Sequence, residues 1–121
     1  MFSKNALAAN AVLRAVAATA DPAAAGLCRR ILLPLERADD ERGSRLLDTL
    51  RAYYACGASV AKTAEHLFLH RNSVRYRLDR VRALLGADID HPEVTAALLA
   101  AFAVAEAAPR AAESHEAKRA Q

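Results

Sequence analysis

The sequence is poor in the residues on which several classes of protein depend. Its 121 residues include only two cysteines, four glycines, four prolines and no tryptophan. Cys28 and Cys56 form no C-x-x-C pair, which predicts reduced structural thiols and not a disulfide framework. No segment reaches the ~18 uncharged apolar residues that a membrane-spanning helix requires. These absences predict a cytoplasmic protein with no membrane partner.

The β-branched residues are also few, and they do not alternate with polar residues as they do in half-buried strands. Alanine is abundant instead, and the length is that of one domain. The sequence therefore predicts an all-α fold, a small helical domain. The net charge is only +3, so the position of the charges along the chain is more informative than their total.

Two short helical patterns meet within residues 60–85. The first covers Val60–Leu67, and the second covers Arg71–Leu85. In the second, apolar residues recur at the spacing of one helix face: Val74, Leu78, Val81 and Leu85. Residues 68–70 lie between the two patterns and leave room only for a tight turn. This arrangement predicts a helix-turn-helix, whose second helix enters the major groove of DNA.

The turn departs from the usual chemistry of such motifs at its first position. Many helix-turn-helix motifs have glycine there, because the backbone is left-handed and glycine adopts that conformation without strain. This chain has Phe68, and a bulky residue would be strained in the same conformation. We therefore expect the turn to be opened, with Phe68 buried beneath Leu46 or Leu50.

An inward apolar stripe leaves the other side of the second helix facing outward. The outward residues are Asn72, Ser73, Arg75, Tyr76, Asp79 and Arg80, with Arg71 and Arg77 at the borders of the stripe. Residues 60–85 contain six basic and two acidic residues, a net charge of +4 in a chain whose total is +3. The excess positive charge is therefore concentrated in the predicted motif, as contact with phosphates requires.

These positions predict the residues that would contact a duplex. Base contacts are expected from Arg71, Asn72, Ser73, Arg75 and Tyr76. Asn72 is suited to adenine and Arg75 to guanine. Phosphate contacts are expected from Lys62, Arg77 and Arg80. His70 lies at the cap of the second helix, where it would satisfy an amide or contact a phosphate. One helix reads only a few base pairs, so a homodimer on double-stranded DNA is predicted.

The same residues resemble a known family. The segment TAEHLFLHRNSVRYRLDRVRALLGADI is similar to the C-terminal helix-turn-helix of the PucR/CdaR type of bacterial transcriptional regulator. The matching positions are Thr63, Ala64, Leu67, His70, Arg71, Asn72, Ser73, Val74, Tyr76, Arg77, Leu78, Gly86, Asp88 and Ile89. The likeness extends over residues 28–106, and the order of elements also resembles the DNA-binding half of the nucleoid protein Fis. The resemblance implies transcription regulation through DNA.

Such regulators normally carry a large effector-sensing region before this domain, and this chain has no room for one. The sequence therefore predicts no small-molecule sensor region in this chain. Residues 1–22 are predicted to be an N-terminal helix or the remnant of an upstream region. Residues 23–107 are predicted to form the helix-turn-helix domain, and residues 108–121, which are poor in apolar side chains, a disordered tail.

The segment before the motif contains four expected structural features. Pro34 lacks an amide proton, so it is expected to end a helix over residues 23–33. Residues 39–43, Asp-Asp-Glu-Arg-Gly, are expected to form a charged loop. Ser44 is expected to cap the next helix, residues 45–56, and Ser59 to cap Val60–Leu67.

Two other function classes compete with DNA binding. A truncated regulator that pairs with a full-length relative, without binding DNA itself, is the alternative that the absent sensor region favours. An enzyme is disfavoured, because the sequence contains no nucleophile–base pair and no glycine-rich phosphate loop. His66 and His70 have the spacing of two zinc ligands, but the turn separates them and no third ligand is near. The sequence predicts no catalytic residue, metal or cofactor.

Overall fold

The computed structural model describes Leu13, residues 15–19 and residues 21–107, and this part of the chain is helical with short connections. The helices are α1 (Pro22–Arg42), α2 (Leu46–Ala55), α3 (Val60–Leu67), α4 (Arg71–Leu85) and α5 (Pro92–Ala107). Leu13 and residues 15–19 are also helical. No strand occurs among the described residues. The all-α fold class and the bounds of both motif helices are therefore confirmed.

The described residues divide between two compact units. One contains residues from 1–31 and 96–121, and the other is formed by residues 32–95. In the second unit, α2, α3 and α4 each pack against the other two. Its core side chains are at most 2% exposed: Leu32, Leu35, Leu46, Leu50, Val74, Leu78, Val81 and Ile89. Helix α2 is thus the support on which the helix-turn-helix lies.

Local signals in the sequence define the ends of α3, α4 and α5. Ser59 Oγ accepts a hydrogen bond from the Lys62 amide at 3.2 Å, which confirms the expected cap of α3. Helix α4 ends at Gly86, whose φ of 63° is the left-handed conformation that glycine adopts without strain. His91 caps α5, since its Nδ1 accepts from the Glu93 amide at 3.2 Å.

Pro34 does not end a helix, so the expected boundary there is wrong. It lies inside α1, which continues to Arg42. A proline within a helix removes one backbone hydrogen bond and costs about 3 kcal/mol. On both sides of it, Leu32, Leu35 and Ala38 are buried. Burying two leucines contributes about 3–6 kcal/mol, enough to offset that cost and keep the helix continuous.

The charged segment after Pro34 has a structural role that the sequence did not reveal. Residues 39–42 are the last turn of α1 and not a loop. Asp39 Oδ1 accepts from the Leu46 amide at 2.8 Å and Oδ2 from the Leu47 amide at 3.2 Å. Ser44 Oγ donates to the same carboxylate at 2.7 Å. Asp39, and not Ser44, therefore caps the N-terminus of α2.

Replacing Asp39 with alanine is expected to lower the free energy of unfolding by about 1–2 kcal/mol, the usual cost of losing a helix cap. Two amides at the start of α2 would lose their acceptor. Asp40 supplies the matched control, because it is the neighbouring carboxylate and is exposed. Urea denaturation followed by circular dichroism measures both variants. Equal stabilities of Asp39→Ala and Asp40→Ala would contradict the capping role.

Candidate nucleic-acid interface

Helix α4 turns its apolar residues inward. Val74 and Val81 are 0% exposed and Leu78 is 1% exposed. The predicted stripe is therefore confirmed, and it fixes the rotation of α4 about its own axis. Of the residues between these three aliphatic side chains, Arg75, Tyr76 and Asp79 are exposed.

The outward side of α4 begins with a group of polar side chains. Those exposed within its first two turns are Arg71, Asn72, Ser73, Arg75 and Tyr76. Tyr76 is 65% exposed although its ring is large and apolar. The structure thus brings all five predicted base-contacting residues onto one accessible surface. Lys62 is also exposed, in the first turn of α3.

Two of these side chains contact each other. Arg75 Nη1 donates a hydrogen bond to Asn72 Oδ1 at 3.3 Å. The bond uses the acceptor of Asn72 and one of the five guanidinium donors of Arg75. It orients the guanidinium toward the N-terminal end of α4, and the remaining donors of Arg75 stay available.

His70 lies where the sequence predicted, at the start of α4. Its Nδ1 accepts a hydrogen bond from the Asn72 amide at 3.1 Å, and its backbone is extended with φ −70° and ψ 147°. The ring therefore satisfies one of the free amides of the first turn. The side chain is exposed beside Arg71.

Arg77 and Arg80 are less accessible than the residues before them, since both are half-buried. Arg77 Nη1 donates to Thr49 Oγ1 of α2 at 3.2 Å. Thr49 is 0% exposed and uses its own proton to donate to the Arg45 carbonyl at 2.7 Å. Its oxygen is therefore free to accept from Arg77, which is anchored at one nitrogen.

The role of Thr49 was missed by the sequence analysis. The available signal was a threonine on the side of α2 that also carries Leu46, Leu50 and Tyr53. A buried hydroxyl needs hydrogen-bond partners, and an arginine from a neighbouring helix is a suitable donor. Sequence alone does not show which of the arginines reaches it.

The C-terminal end of α4 is tied to α2 through the following loop. Arg82 Nη2 lies 3.3 Å from Asp90 Oδ2, and the Tyr53 hydroxyl donates to Asp90 Oδ1 at 2.7 Å. The Tyr54 hydroxyl donates to the Ile89 carbonyl at 2.9 Å. Ile89 itself is 0% exposed. These bonds fix α4 at its far end while its first turns stay exposed.

Burial and the hydrogen bond to Asp90 raise the pKa of Tyr53 to about 12 from the ordinary value of 10.0. Because the folded-state pKa is raised, the neutral phenol stabilises the fold fully below pH 10. That contribution is lost as the pH rises through about 12. Tyr53→Phe is expected to lower the free energy of unfolding by about 1 kcal/mol near neutral pH, because Asp90 loses a hydrogen-bond donor.

Alkaline titration of phenolate absorbance tests this assignment. Tyr53→Phe should remove the step near pH 12, whereas Tyr76→Phe, at an exposed position, should leave that step in place. A titration curve above pH 10 that is the same in Tyr53→Phe as in the wild type would contradict the assignment.

The turn between α3 and α4 is not opened, and the expectation that Phe68 is buried is wrong. Phe68 caps the C-terminus of α3 in the left-handed conformation, with φ 57° and ψ 44°, and is 95% exposed. Its amide donates to the Glu65 carbonyl at 3.3 Å, and the Leu69 amide donates to the Ala64 carbonyl at 2.9 Å. These bonds close the turn tightly and leave the ring outside.

Within the described residues, His, Cys, Asp and Glu side chains form no group of three that could hold a metal ion. Among the same residues, no helix combines the length and apolar character needed to cross a membrane. The surface described above is instead formed by exposed basic and amide side chains at the start of α4. A helix pair with a tight turn, an inward stripe on the second helix and this outward surface defines a helix-turn-helix.

Residues 46–104 match the family model of the PucR C-terminal helix-turn-helix domain. The matched part begins with α2, contains the whole helix-turn-helix and ends within α5. Through this segment the chain is similar to the PucR C-terminal helix-turn-helix domain. The resemblance seen in the sequence is thereby confirmed.

Three relatives illustrate how local the similarity is. An uncharacterised protein of Mycobacterium tuberculosis is 42% identical over 52 residues, 43% of this chain and 13% of that protein. A protein in the pkwA 5′ region of Thermomonospora curvata is 45% identical over 65 residues, 54% of this chain and 36% of that protein. The purine catabolism regulatory protein of Bacillus subtilis is 42% identical over 50 residues, 41% of this chain and 9% of that protein. The chain thus spans a small part of these relatives, and no solved structure matches it.

Proposed function

We propose that this chain is a sequence-specific DNA-binding module of a bacterial transcriptional regulator, with α4 in the major groove. The observation that carries the proposal is the division of α4 into two sides. Val74, Leu78 and Val81 are buried, while the polar side chains of its first two turns are exposed. The name of the Bacillus relative, a regulatory protein, supports a role in regulation. Such a function belongs in the cytoplasm, where bacterial DNA lies.

Base recognition is assigned to the exposed residues of α4. Arg75 reads guanine through its free guanidinium donors, and Asn72 assists by fixing the orientation of that group. Arg71, Ser73 and Tyr76 contact neighbouring base edges from the same surface. Each good pairing of this kind discriminates against a wrong base by about 1–3 kcal/mol.

Phosphate contacts fix the position of α4 in the groove. Lys62 lies in the exposed first turn of α3, and Arg77 is held at one nitrogen by Thr49, with its other donors available. Arg80 and His70 complete the set of basic groups on either side of the base-reading residues. Such contacts set register and affinity but carry no sequence information.

A single α4 reads only a few base pairs, so we propose that the chain acts as a homodimer on a two-fold site. The two copies would bind half-sites about one helical turn apart, roughly 34 Å. The centre-to-centre spacing of selected half-sites gives a direct measure of this geometry.

Selection of bound sequences from a random duplex pool by the purified chain tests the function. We expect enrichment of a two-fold motif, bound with an affinity that falls as salt rises. Three phosphate contacts per copy, from Lys62, Arg77 and Arg80, correspond to a slope in log K against log salt of about −3 per copy, and so of about −5 for the dimer. A pool that stays random, with no salt-dependent binding, would contradict the proposal. Binding to a related regulator without any binding to DNA would favour the heterodimerising alternative.

A further inference from the structure

Phe68 is exceptional in this structure because two independent features of it are unfavourable. Its left-handed backbone, with φ 57° and ψ 44°, strains a residue that has a bulky side chain. Its ring is 95% exposed, so the fold gains almost nothing from burying it. A glycine would remove both costs, since it adopts this conformation freely. The phenylalanine must therefore serve something other than the stability of the turn.

Phe68 lies close along the chain to the proposed DNA-binding surface. Two residues, Leu69 and His70, separate it from Arg71, so the two Cα atoms are three steps and at most ~11 Å apart. His70 and Arg71, which follow it, are both exposed. Residues 59–78 contain four basic residues and a single acidic one, Glu65. A surface with that charge favours a polyanion as the partner of the ring and disfavours an apolar protein groove.

We propose that Phe68 is a DNA-contacting residue whose ring packs against the C5-methyl group of a thymine at the edge of the site. The proposal rests on the function proposed above. The major-groove edges of the bases present hydrogen-bond donors and acceptors, and the thymine methyl is their apolar feature. Phe68 is the residue of the turn whose side chain is exposed and has no polar atom. Its ring is therefore suited to an apolar contact with the thymine methyl group.

The proposal is tested with two variants and one modified duplex. Phe68→Gly removes the ring and the backbone strain, whereas Phe68→Leu keeps an apolar side chain in the same backbone conformation. The duplex is the selected binding site with each thymine in turn replaced by deoxyuridine, which lacks the methyl group. Thermal denaturation and fluorescence anisotropy with labelled duplex measure stability and affinity on the same samples.

Phe68→Gly is expected to raise the melting temperature by about 2–5 °C, because the strain is relieved and no buried contact is lost. It is expected to bind the selected site about 5–20-fold more weakly. Deoxyuridine at one position should weaken wild-type binding about fourfold, the effect of one methyl group, and leave Phe68→Gly unaffected. Phe68→Leu should lie between the two proteins in affinity.

Three results would overturn the assignment of Phe68 while leaving DNA binding intact. The first is a Phe68→Gly variant that binds the selected site as tightly as the wild type. The second is a lower melting temperature for that variant, which would make the ring structural. The third is a wild-type protein that is insensitive to deoxyuridine at every position. If the wild type binds no duplex at all, the proposed function fails together with this inference.

Discussion

Leu78→Ala is expected to lower the free energy of unfolding by about 2–5 kcal/mol. Leu78 is 1% exposed and lies on the inward side of α4, in the unit where α2, α3 and α4 pack together. Truncation removes three carbon atoms, one methine and two methyl groups, from this core and leaves a cavity that the three helices can fill only partly. Since small domains are stable by only about 5–15 kcal/mol, the variant would lose a large fraction of its stability.

Leu84→Ala is the matched control, because it is the same substitution in the same helix at a side chain that is 37% exposed. Leu84→Ala should lower the free energy of unfolding by less than about 1 kcal/mol, as surface substitutions usually do. Urea denaturation monitored by circular dichroism gives both values. If the two variants unfold at the same urea concentration, the inward side of α4 has been assigned incorrectly.

Arg75→Ala is expected to weaken binding to the selected duplex by about 1–3 kcal/mol and to relax the preference at one base position. Arg75 is exposed, and its guanidinium is oriented by the hydrogen bond to Asn72 Oδ1. Bidentate donation to O6 and N7 of guanine depends on that planar group, and alanine cannot replace it. The loss should be confined to the duplex that contains the recognised guanine.

Lys62→Ala is expected to affect DNA binding differently from Arg75→Ala. Lys62 is a phosphate contact in the proposal, so its removal should weaken binding to all sequences alike and reduce the salt slope by about 1. Fluorescence anisotropy on the selected duplex and on single-base variants, at three salt concentrations, separates the two behaviours. Unchanged affinities for both variants would show that α4 does not lie in the groove as proposed.

The features that the sequence predicted correctly depend on neighbouring residues. The spacing of Val74, Leu78 and Val81 within one helix was enough to identify the inward stripe, since helical period alone determines it. The caps at Ser59 and His70 and the stop at Gly86 involve residues at most three positions from the helix ends. These local features do not depend on how distant segments of the chain pack.

The features that were not predicted depend on the packing of distant segments. Pro34 stays within α1 because the leucines on either side of it are buried. Asp39 reaches amides seven and eight residues away, and Thr49 meets Arg77 of another helix. Phe68 was expected to avoid a strained backbone by opening the turn, but the hydrogen bonds of the turn hold it closed. None of these partners is specified by local sequence.

Hydrogen bonds link Arg82 to Asp90 and Asp90 to Tyr53, and these links bear on how the proposed DNA binding would be regulated. These bonds connect the C-terminal end of α4 to α2. The hydrogen bond between Arg77 and Thr49 connects the middle of α4 to the same helix. These two attachments oppose tilting or sliding of α4 relative to α2. In the proposed homodimer, we expect a signal that alters DNA binding to change the distance and angle between the two copies of residues 32–95, leaving the conformation of each copy unaltered.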